Sequence, residues 1–291
     1  MIPQQISLAV STYERDYERL QRLIRSAQRH CAPGMVAEMV VVLKDDVRHR
    51  LELDSILDQI SDGSFPIRVV AGQDLRADLF DQDYPGWHIA QAVRLLLARE
   101  IRTEWYVLHD GKDQYVQDVD LSVFFDQRGR ARGSVITYRD PPDDHVYPPE
   151  ELQQVKSVRR SWYNFAYRMM SLDYFQNEST VIKSLSPMVL HTASINDLLD
   201  HLFQRMGDRW LDWFRFMPAH RTNNDRYHSV VSDAALISAH MTRNGLGDLY
   251  NTDLWDGGAT RPGEYAVTFG GRFVILEDSL RRRGGHAIST Q

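Results

Sequence analysis

The segment Trp105-Tyr106-Val107-Leu108-His109-Asp110-Gly111-Lys112-Asp113 decides how the fold of this chain is interpreted. It begins with four apolar residues and stops abruptly at an acidic, glycine-containing stretch. A short apolar run of this kind predicts a buried strand of an α/β protein, and ligands bind at the carboxyl end of such strands. Two carboxylates and an ammonium group there suit a phosphate-bearing substrate, with or without a divalent metal. The alternative is an ordinary strand that ends in a charged turn.

The residues before this segment alternate between strand and helix patterns. Apolar runs at residues 6–10, 39–43 and 67–71 predict three more strands, and helical spacing predicts helices at 13–29, 47–60 and 86–99. Such alternation implies βαβ crossovers and a mostly parallel, Rossmann-like sheet flanked by helices, and we expect the strand that ends at His109 to be central. The sequence lacks the glycine-rich phosphate-binding motifs of dinucleotide-binding Rossmann domains and of P-loop NTPases, which disfavours both classes.

The second half of the chain is less regular and more helical. Helices are predicted near residues 150–175, 194–205, 208–216 and 230–244, with strands or extended segments at 133–138 and 186–191. We therefore expect an α/β fold whose carboxyl-terminal half is richer in helix.

Composition narrows the classes of function. The chain has 291 residues, of which 43% are hydrophobic and 25% charged, as in a globular protein. Its net charge of −6 argues against a sequence-independent nucleic-acid binder. The single cysteine, Cys31, excludes an intrachain disulfide and a cysteine-based zinc cluster. No apolar run approaches the ~20 residues that span a bilayer, so we expect a cytoplasmic location. The arginines at 281–283 would suit the inner face of the membrane or a solvated helix end.

Six segments together resemble a bacterial glycosyltransferase family of the nucleotide-diphospho-sugar transferase type, with the glycosyltransferase A fold, formerly catalogued as a domain of unknown function. In order along the chain they are ISLAVST at 6–12, RLIRS at 22–26, the helix at 86–95, WYVLHDGKD at 105–113, SPMVLH at 186–191 and SDAALIS at 232–238. The resemblance implies one domain with two parts. Residues 1–125 would bind the nucleotide-sugar donor, and residues 126–291 would form a helix-rich subdomain on the acceptor side.

One motif departs from the family. Many relatives end the fourth strand with D-x-D, which binds a metal and the diphosphate, whereas here Lys112 takes the second acidic position and Asp113 follows it. Some family members carry D-x-K-N there. A lysine offsets diphosphate charge much as Mg²⁺ does. The resemblance therefore implies either a Mn²⁺ or Mg²⁺ ion on Asp110 and Asp113 or a metal-independent site that relies on Lys112.

Other residues are candidates for donor binding because of their places in the predicted fold. Tyr13 would stack on a base beside Thr12, although both also suit a helix start. Asp74 would accept hydrogen bonds from the base or ribose, or belong to a turn. Polar residues of the helix at 86–99 share one face, which would meet a sugar diphosphate or solvent. His191 would bind the diphosphate or the acceptor, or be structural. The full donor-binding set is Thr12, Tyr13, Asp74, Trp87, Gln91, Arg94, Asp110, Lys112, Asp113 and His191.

The resemblance also implies a reaction. Asp233, early in a predicted helix, is the first candidate for the general base of an inverting transfer, and Asp225 is the second. Lys112 would stabilise the departing nucleoside diphosphate. The expected enzyme is a hexosyltransferase-like glycosyltransferase of bacterial surface-polysaccharide or glycoconjugate synthesis, acting on a sugar or glycolipid acceptor and not on nucleic acid.

Two alternatives remain open at the level of sequence. A sugar-1-phosphate nucleotidyltransferase would need a glycine-rich loop after the first strand, but residues 11–16 contain no glycine. A non-catalytic sugar-nucleotide-binding protein would explain the altered D-x-D.

Overall fold

A five-stranded sheet forms the centre of this computed structural model. The structure describes residues 1–44, 49–79, 86–132, 135–137, 149–173, 175, 179–182, 186–215, 232–251 and 273–275. The strands of the sheet are β1 (Ile6–Thr12), β2 (Val36–Leu43), β3 (Ile67–Ala71), β4 (Trp105–His109) and β8 (Met188–His191). Their order is β3-β2-β1-β4-β8, and only β8 runs antiparallel to its neighbour. The predicted mostly parallel sheet is therefore confirmed.

The parallel strands are buried for most of their length, as their apolar sequences predict. All five residues of β4 are buried, and so are seven of the eight residues of β2. β4 is paired on both sides, with β1 and with β8. β4 is thus an interior strand and not an edge strand, as expected, while β1 takes the middle position of the five. The antiparallel β8 adds only one strand beyond β4.

Helices flank the sheet. The longer ones are α1 (Tyr17–His30), α2 (Arg50–Ile60), α4 (Gly86–Leu96), α6 (Pro149–Met169), α7 (Thr192–Met206) and α9 (Asp233–Asn244). α1 and α2 pack together, whereas α4 packs with α7 and α9. The strand order explains this division: the chain moves in one direction from β1 to β3 and returns past β1 to reach β4, and crossovers of one hand then place helices on opposite faces. In the described part of the chain, five 3₁₀ helices of three to five residues and the short helices α3 (Gly72–Leu75), α5 (Leu121–Phe124) and α8 (Asp212–Arg215) complete the connections.

The start and end of α9 follow from its sequence. The hydroxyl of Ser232 accepts a hydrogen bond from the amide of Ala235 at 3.1 Å, which caps the helix. Gly245 ends it in the left-handed conformation with φ of +65°. Asp233 is the first residue of this capped helix, so the cap fixes the backbone position of Asp233.

Residues of the second half complete structures that begin in the first half. β8 extends the sheet built by residues before 125, and β5 (Asp113–Tyr115) pairs with β9 (Phe273–Ile275). Within the second half itself, β6 (Val135–Thr137) pairs with β7 (Thr180–Ile182). The proposed boundary between the two subdomains stays a prediction. Among the described residues, no helix is both long and apolar enough to cross a membrane.

Candidate functional site

The carboxyl ends of the four parallel strands bring predicted site residues to one edge of the sheet. Tyr13 follows β1, Lys44 follows β2, Asp74 lies in α3 directly after β3, and Asp110 follows β4. The register pairs the last residues of β1 and β2, and those of β2 and β3. We call this the carboxyl edge; it is where parallel sheets bind their ligands.

Four charged side chains meet at this edge. Nη2 of Arg94 lies 3.9 Å from Oδ2 of Asp110, and Nη1 of Arg94 lies 3.7 Å from Oδ2 of Asp233. Nζ of Lys112 lies 3.9 Å from the same oxygen of Asp110. We call these four residues the charge cluster. All three distances exceed those of hydrogen bonds, so the charges balance one another without forming fixed pairs.

Asp233 is the buried member of the charge cluster, with 3% of the residue exposed. Its Oδ1 accepts the amide hydrogen of Ala234 at 2.8 Å, while Oδ2 has no hydrogen-bond partner among the described residues. Burial raises the pKa of the Asp233 carboxyl group, and the nearby Arg94 opposes that rise in pKa. A carboxylate with a free oxygen and an increased proton affinity suits a general base.

Gln91 is also buried, and it supports Asp233. Its Oε1 accepts the amide hydrogen of Asp233 at 3.0 Å. The next two amides of α9, those of Ala234 and Ala235, are bonded to Asp233 and Ser232. Because these first amides already have acceptors, the start of α9 offers no open cradle of N–H groups to an anion. The cationic side chains of the charge cluster remain for that purpose.

Asp113 faces inward, away from the charge cluster. Only 1% of it is exposed, and its Oδ2 accepts from Nδ1 of His109 at 3.0 Å and from the amide of Asp110 at 3.2 Å. The hydroxyl of Ser186 donates to the same oxygen. Nε2 of His109 meets the hydroxyl of Tyr115 at 2.9 Å. Asp113 is thus part of a buried hydrogen-bonded network.

The residues at this turn fit a divalent metal poorly. Asp110 offers an accessible carboxylate with 40% of its side chain exposed, but Arg94 and Lys112 flank it. In the part of the chain that the structure describes, three metal-ligating side chains come within 4.8 Å of one another only at Glu14, His49 and Glu52. Mg²⁺ and Mn²⁺ favour several oxygen ligands. A metal on Asp110 and Asp113 stays a prediction that this arrangement does not favour.

The predicted base-binding residues lie at the same carboxyl edge, after β1 and β3. Thr12 is 1% exposed and its hydroxyl donates to the carbonyl of Tyr13 at 3.4 Å. The ring of Tyr13 has the guanidinium carbon of Arg15 at 4.3 Å and Nζ of Lys44 at 4.5 Å from its centroid. A nucleobase would therefore compete with these cations for the ring. Asp74 is exposed.

The structure places His191 at the opposite edge of the sheet from the other described candidates, and its role in donor binding stays a prediction. His191 pairs with Trp105, the first residue of β4, and its Nδ1 lies 2.7 Å from the hydroxyl of Ser194. Because β8 is antiparallel, its carboxyl end lies at the amino ends of the parallel strands. Burial lowers the pKa of the His191 ring. Ser186, just before β8, is the residue of this segment that reaches the turn at Asp110, and sequence reasoning missed it.

Two predicted site residues cannot be placed. Trp87 lies on α4, but its side chain is not among those described. Asp225, the second candidate base, lies outside the described residues.

The described cavities and the charge cluster lie at opposite edges of the sheet. Three cavities of about 150, 440 and 320 Å³ surround the loop at residues 31–34, before β2 and at the amino edge of the sheet. Among the cavities lined by described residues, concave shape alone would favour that region. The charge cluster is the better candidate, because it combines two cations with a buried carboxylate that has an unpartnered oxygen.

Comparison with known proteins places the chain in a family without assigning it an activity. No curated protein matches the sequence. The profile of one family matches residues 2–223, which is more than half of the chain. The chain belongs to DUF6492, a family of unknown function.

Proposed function

We propose that the chain is a glycosyltransferase, which transfers a sugar from a nucleoside-diphosphate donor to an acceptor hydroxyl in bacterial surface-polysaccharide or glycoconjugate synthesis. One observation carries the proposal. At the carboxyl edge of a parallel sheet, Arg94 and Lys112 lie beside Asp110, and Arg94 also lies 3.7 Å from the buried Asp233. This combination places cations for a leaving diphosphate next to a carboxylate able to accept a proton.

The donor half of the proposal rests on Lys112 and Arg94. Lys112 has 37% of its side chain exposed and is within reach of a ligand from solvent, and Arg94 is 20% exposed. Both would bind the diphosphate through charge-assisted hydrogen bonds. Two positive and two negative side chains make the charge cluster formally neutral, so a bound diphosphate must compete with Asp110. Either Asp110 moves away, or a divalent cation neutralises it.

The acceptor half rests on Asp233. Its free Oδ2 would take the proton of the acceptor hydroxyl while that oxygen forms a bond to the anomeric carbon. The bond from the anomeric carbon to the diphosphate oxygen breaks, and the nucleoside diphosphate leaves with the electron pair. Lys112 and Arg94 would stabilise the negative charge that develops on it. The configuration at the anomeric carbon is inverted in such a displacement.

The acceptor and the location are parts of the proposal. A sugar or glycolipid acceptor, met in the cytoplasm or at the inner face of the membrane, would suit the proposed pathway. A non-catalytic sugar-nucleotide-binding protein is the second candidate, because Asp113 lies inward where relatives would present an acidic ligand.

A binding and turnover screen tests the proposal. Wild-type protein is titrated with UDP, GDP, ADP and CDP in EDTA and in Mn²⁺, and the matching sugar nucleotides are then assayed for release of the diphosphate. A ligand at a hundred times its Kd raises stability by about 2.7 kcal/mol, which a thermal-shift assay detects readily. Binding with turnover supports the enzyme, and binding without turnover of any donor supports the non-catalytic protein. No binding of any nucleotide refutes both.

The variant Asp110→Asn separates the two ways of accommodating the diphosphate. If Asp110 only competes with the ligand, its neutralisation strengthens diphosphate binding in EDTA. If Asp110 holds a metal, the same variant weakens binding in Mn²⁺. Asp58→Asn, an exposed aspartate on α2 outside the predicted donor-binding set, is the matched control.

A further inference from the structure

We propose that Asp113, together with His109 and Ser186, is an internal anchor that positions the turn carrying Asp110 and Lys112, and that Asp113 is a ligand of neither metal nor diphosphate. The functional part of this inference rests on the proposed function, since it assumes that the turn meets a diphosphate. Its structural part does not. We call these three residues the anchor.

The hydrogen bonds of the anchor hold both ends of the turn. The amide of Asp113 donates to the carbonyl of Asp110 at 2.9 Å, which closes the turn. The amide of Asp110 donates to the hydroxyl of Ser186 at 2.6 Å and to Oδ2 of Asp113 at 3.2 Å. Ser186 also donates to Asp113. Asp110 is therefore tied through its backbone, while its side chain stays available to ligands.

Burial separates the anchor from the ligand-facing residues of the same turn. His109, Asp113 and Ser186 are 2%, 1% and 8% exposed. The side chains of Asp110 and Lys112 are 40% and 37% exposed. Within four consecutive residues, alternate positions thus serve the interior and the surface. A buried hydrogen-bonded network fixes geometry more firmly than exposed pairs do.

The hydrogen-bonded partners of Asp113 leave little room for another role. Its Oδ2 already accepts hydrogens from three donors, His109, Ser186 and the amide of Asp110. Its Oδ1 is buried and has no hydrogen-bond partner among the described residues. A metal at Oδ1 would need further ligands. Neither His109 nor Asp110 forms, with Asp113, a described group of three ligating atoms within 4.8 Å.

The anchor also connects separate parts of the fold. His109 ends β4, Asp113 begins β5, and Ser186 directly precedes the segment of β8. Through Tyr115 the network continues to α1, since the amide of Tyr115 donates to the hydroxyl of Ser26 at 3.1 Å. The position of Lys112 is thereby coupled to three strands and a helix, rather than to its neighbours in sequence alone.

The test uses Asp113→Asn and the milder Ser186→Ala in the full chain, with Asp118→Asn as the matched control. Asp118 is exposed and pairs with His30 at the other edge of the sheet. The first readout is amide hydrogen exchange at Asp110 by NMR, which requires no ligand. We expect exchange to become about tenfold faster in both anchor variants, the change that ~1.4 kcal/mol of lost hydrogen bonding produces. Unchanged exchange in Ser186→Ala overturns the anchor, even if Asp113→Asn does not fold.

The second readout is the affinity for inorganic pyrophosphate, measured by calorimetry in EDTA and in Mn²⁺. If the anchor positions Lys112, each anchor variant loses about tenfold in pyrophosphate affinity, equally in EDTA and in Mn²⁺. This loss of affinity disappears in the Lys112→Ala background, because the anchor acts through Lys112. A loss confined to Mn²⁺ overturns the proposal and makes Asp113 a metal ligand. If wild-type protein binds neither pyrophosphate nor any nucleotide, the proposed function fails, and faster exchange at Asp110 still supports the structural anchor.

Discussion

Two arginines at opposite edges of the sheet have different surroundings. At the amino edge, Arg68 donates to Glu38 at 3.1 Å and to Glu100 at 2.9 Å, so its guanidinium is held by short bonds. At the carboxyl edge, Arg94 lies 3.9 Å from Asp110 and 3.7 Å from Asp233, without a hydrogen bond to either. Each site has one arginine between two carboxylates, but only Arg68 is hydrogen-bonded to both of its partners.

This difference separates structure from function. An arginine with short hydrogen bonds to both carboxylates stabilises the fold and has fewer donors left for a ligand. Charged side chains that lie near a buried carboxylate without hydrogen bonds to it add less stability, and they can still bind a substrate. The following variants test whether the two edges differ in this way.

The largest effect is expected for Asp233→Asn in a transfer assay. Loss of a general base typically slows a reaction by 10²–10⁴-fold. Donor affinity should change by less than about tenfold, because Asp233 faces the acceptor in our proposal. The measurements are the single-turnover transfer rate and the Kd of the donor. Normal transfer by this variant, together with inactive Asp225→Asn, would move the role of base to Asp225.

The pH profile of the same reaction carries a second signature. The base acts when deprotonated, so transfer falls as the pH drops through its pKa. Burial raises the pKa of Asp233, and the fall should therefore begin at a higher pH than for an ordinary aspartate. The residual transfer rate of Asp233→Asn should not show this fall at acid pH. An identical acid-pH fall in the transfer rates of wild type and variant would show that another group titrates.

At the amino edge, Glu38→Gln is expected to destabilise the fold by about 1–3 kcal/mol, because it removes the charge from a buried, hydrogen-bonded carboxylate. Glu38 is 6% exposed and partners Arg68. Urea unfolding measures the change, and pyrophosphate affinity should stay the same. A variant of unaltered stability would mean that the amino-edge pairs are no more structural than the charge cluster.

Whereas Glu38→Gln should destabilise the fold, Asp233→Asn should stabilise it. Because burial raises the folded-state pKa of Asp233, its ionised form opposes folding. Any stability that the protonated group provides is complete below its unfolded pKa and is lost as the pH rises through the folded pKa. The variant should therefore exceed wild type by ~0.5–2 kcal/mol at pH 7, with a difference that shrinks towards acid pH. Lower stability of the variant at pH 7 would contradict a strained carboxylate.

The smallest effect on binding is expected for His191→Gln. The ring of His191 packs on Trp105, with 4.8 Å between ring centroids, at the edge away from the charge cluster. Pyrophosphate affinity should stay within about twofold, the range of a surface substitution far from the ligand. A tenfold loss would return His191 to the donor site.

Local patterns in the sequence were enough to predict most of the parallel sheet. β3 and β4 have the predicted ends, and β1 and β2 extend the predicted runs by two or three residues at one end. Continuous apolar runs identify such strands because both faces are covered. The helix before β4, α4, begins at Gly86 as predicted. Its α-helical part ends at Leu96, and a 3₁₀ turn continues to Glu100.

Two features of the site depend on long-range contacts that no local pattern records. The direction of β8 decides that Ser186, and not His191, meets the turn at Asp110, and a four-residue strand carries no signal of its direction. The burial of Asp113 depends on Ser186, which lies 73 residues later in the chain. In the sequence, Asp110 and Asp113 are equivalent acidic residues of one turn; only the fold assigns one to the surface and the other to the interior.

The most direct test of the central claim compares UDP with uridine for Lys112→Ala and wild-type protein by calorimetry. The variant is expected to lose about 10- to 100-fold in UDP affinity, as for one charge-assisted hydrogen bond, and less than about twofold in uridine affinity. Arg22→Ala, which removes an exposed cation on α1, should change neither value. Equal losses for UDP and uridine, or no loss for either, would contradict the claim that the charge cluster is a diphosphate site.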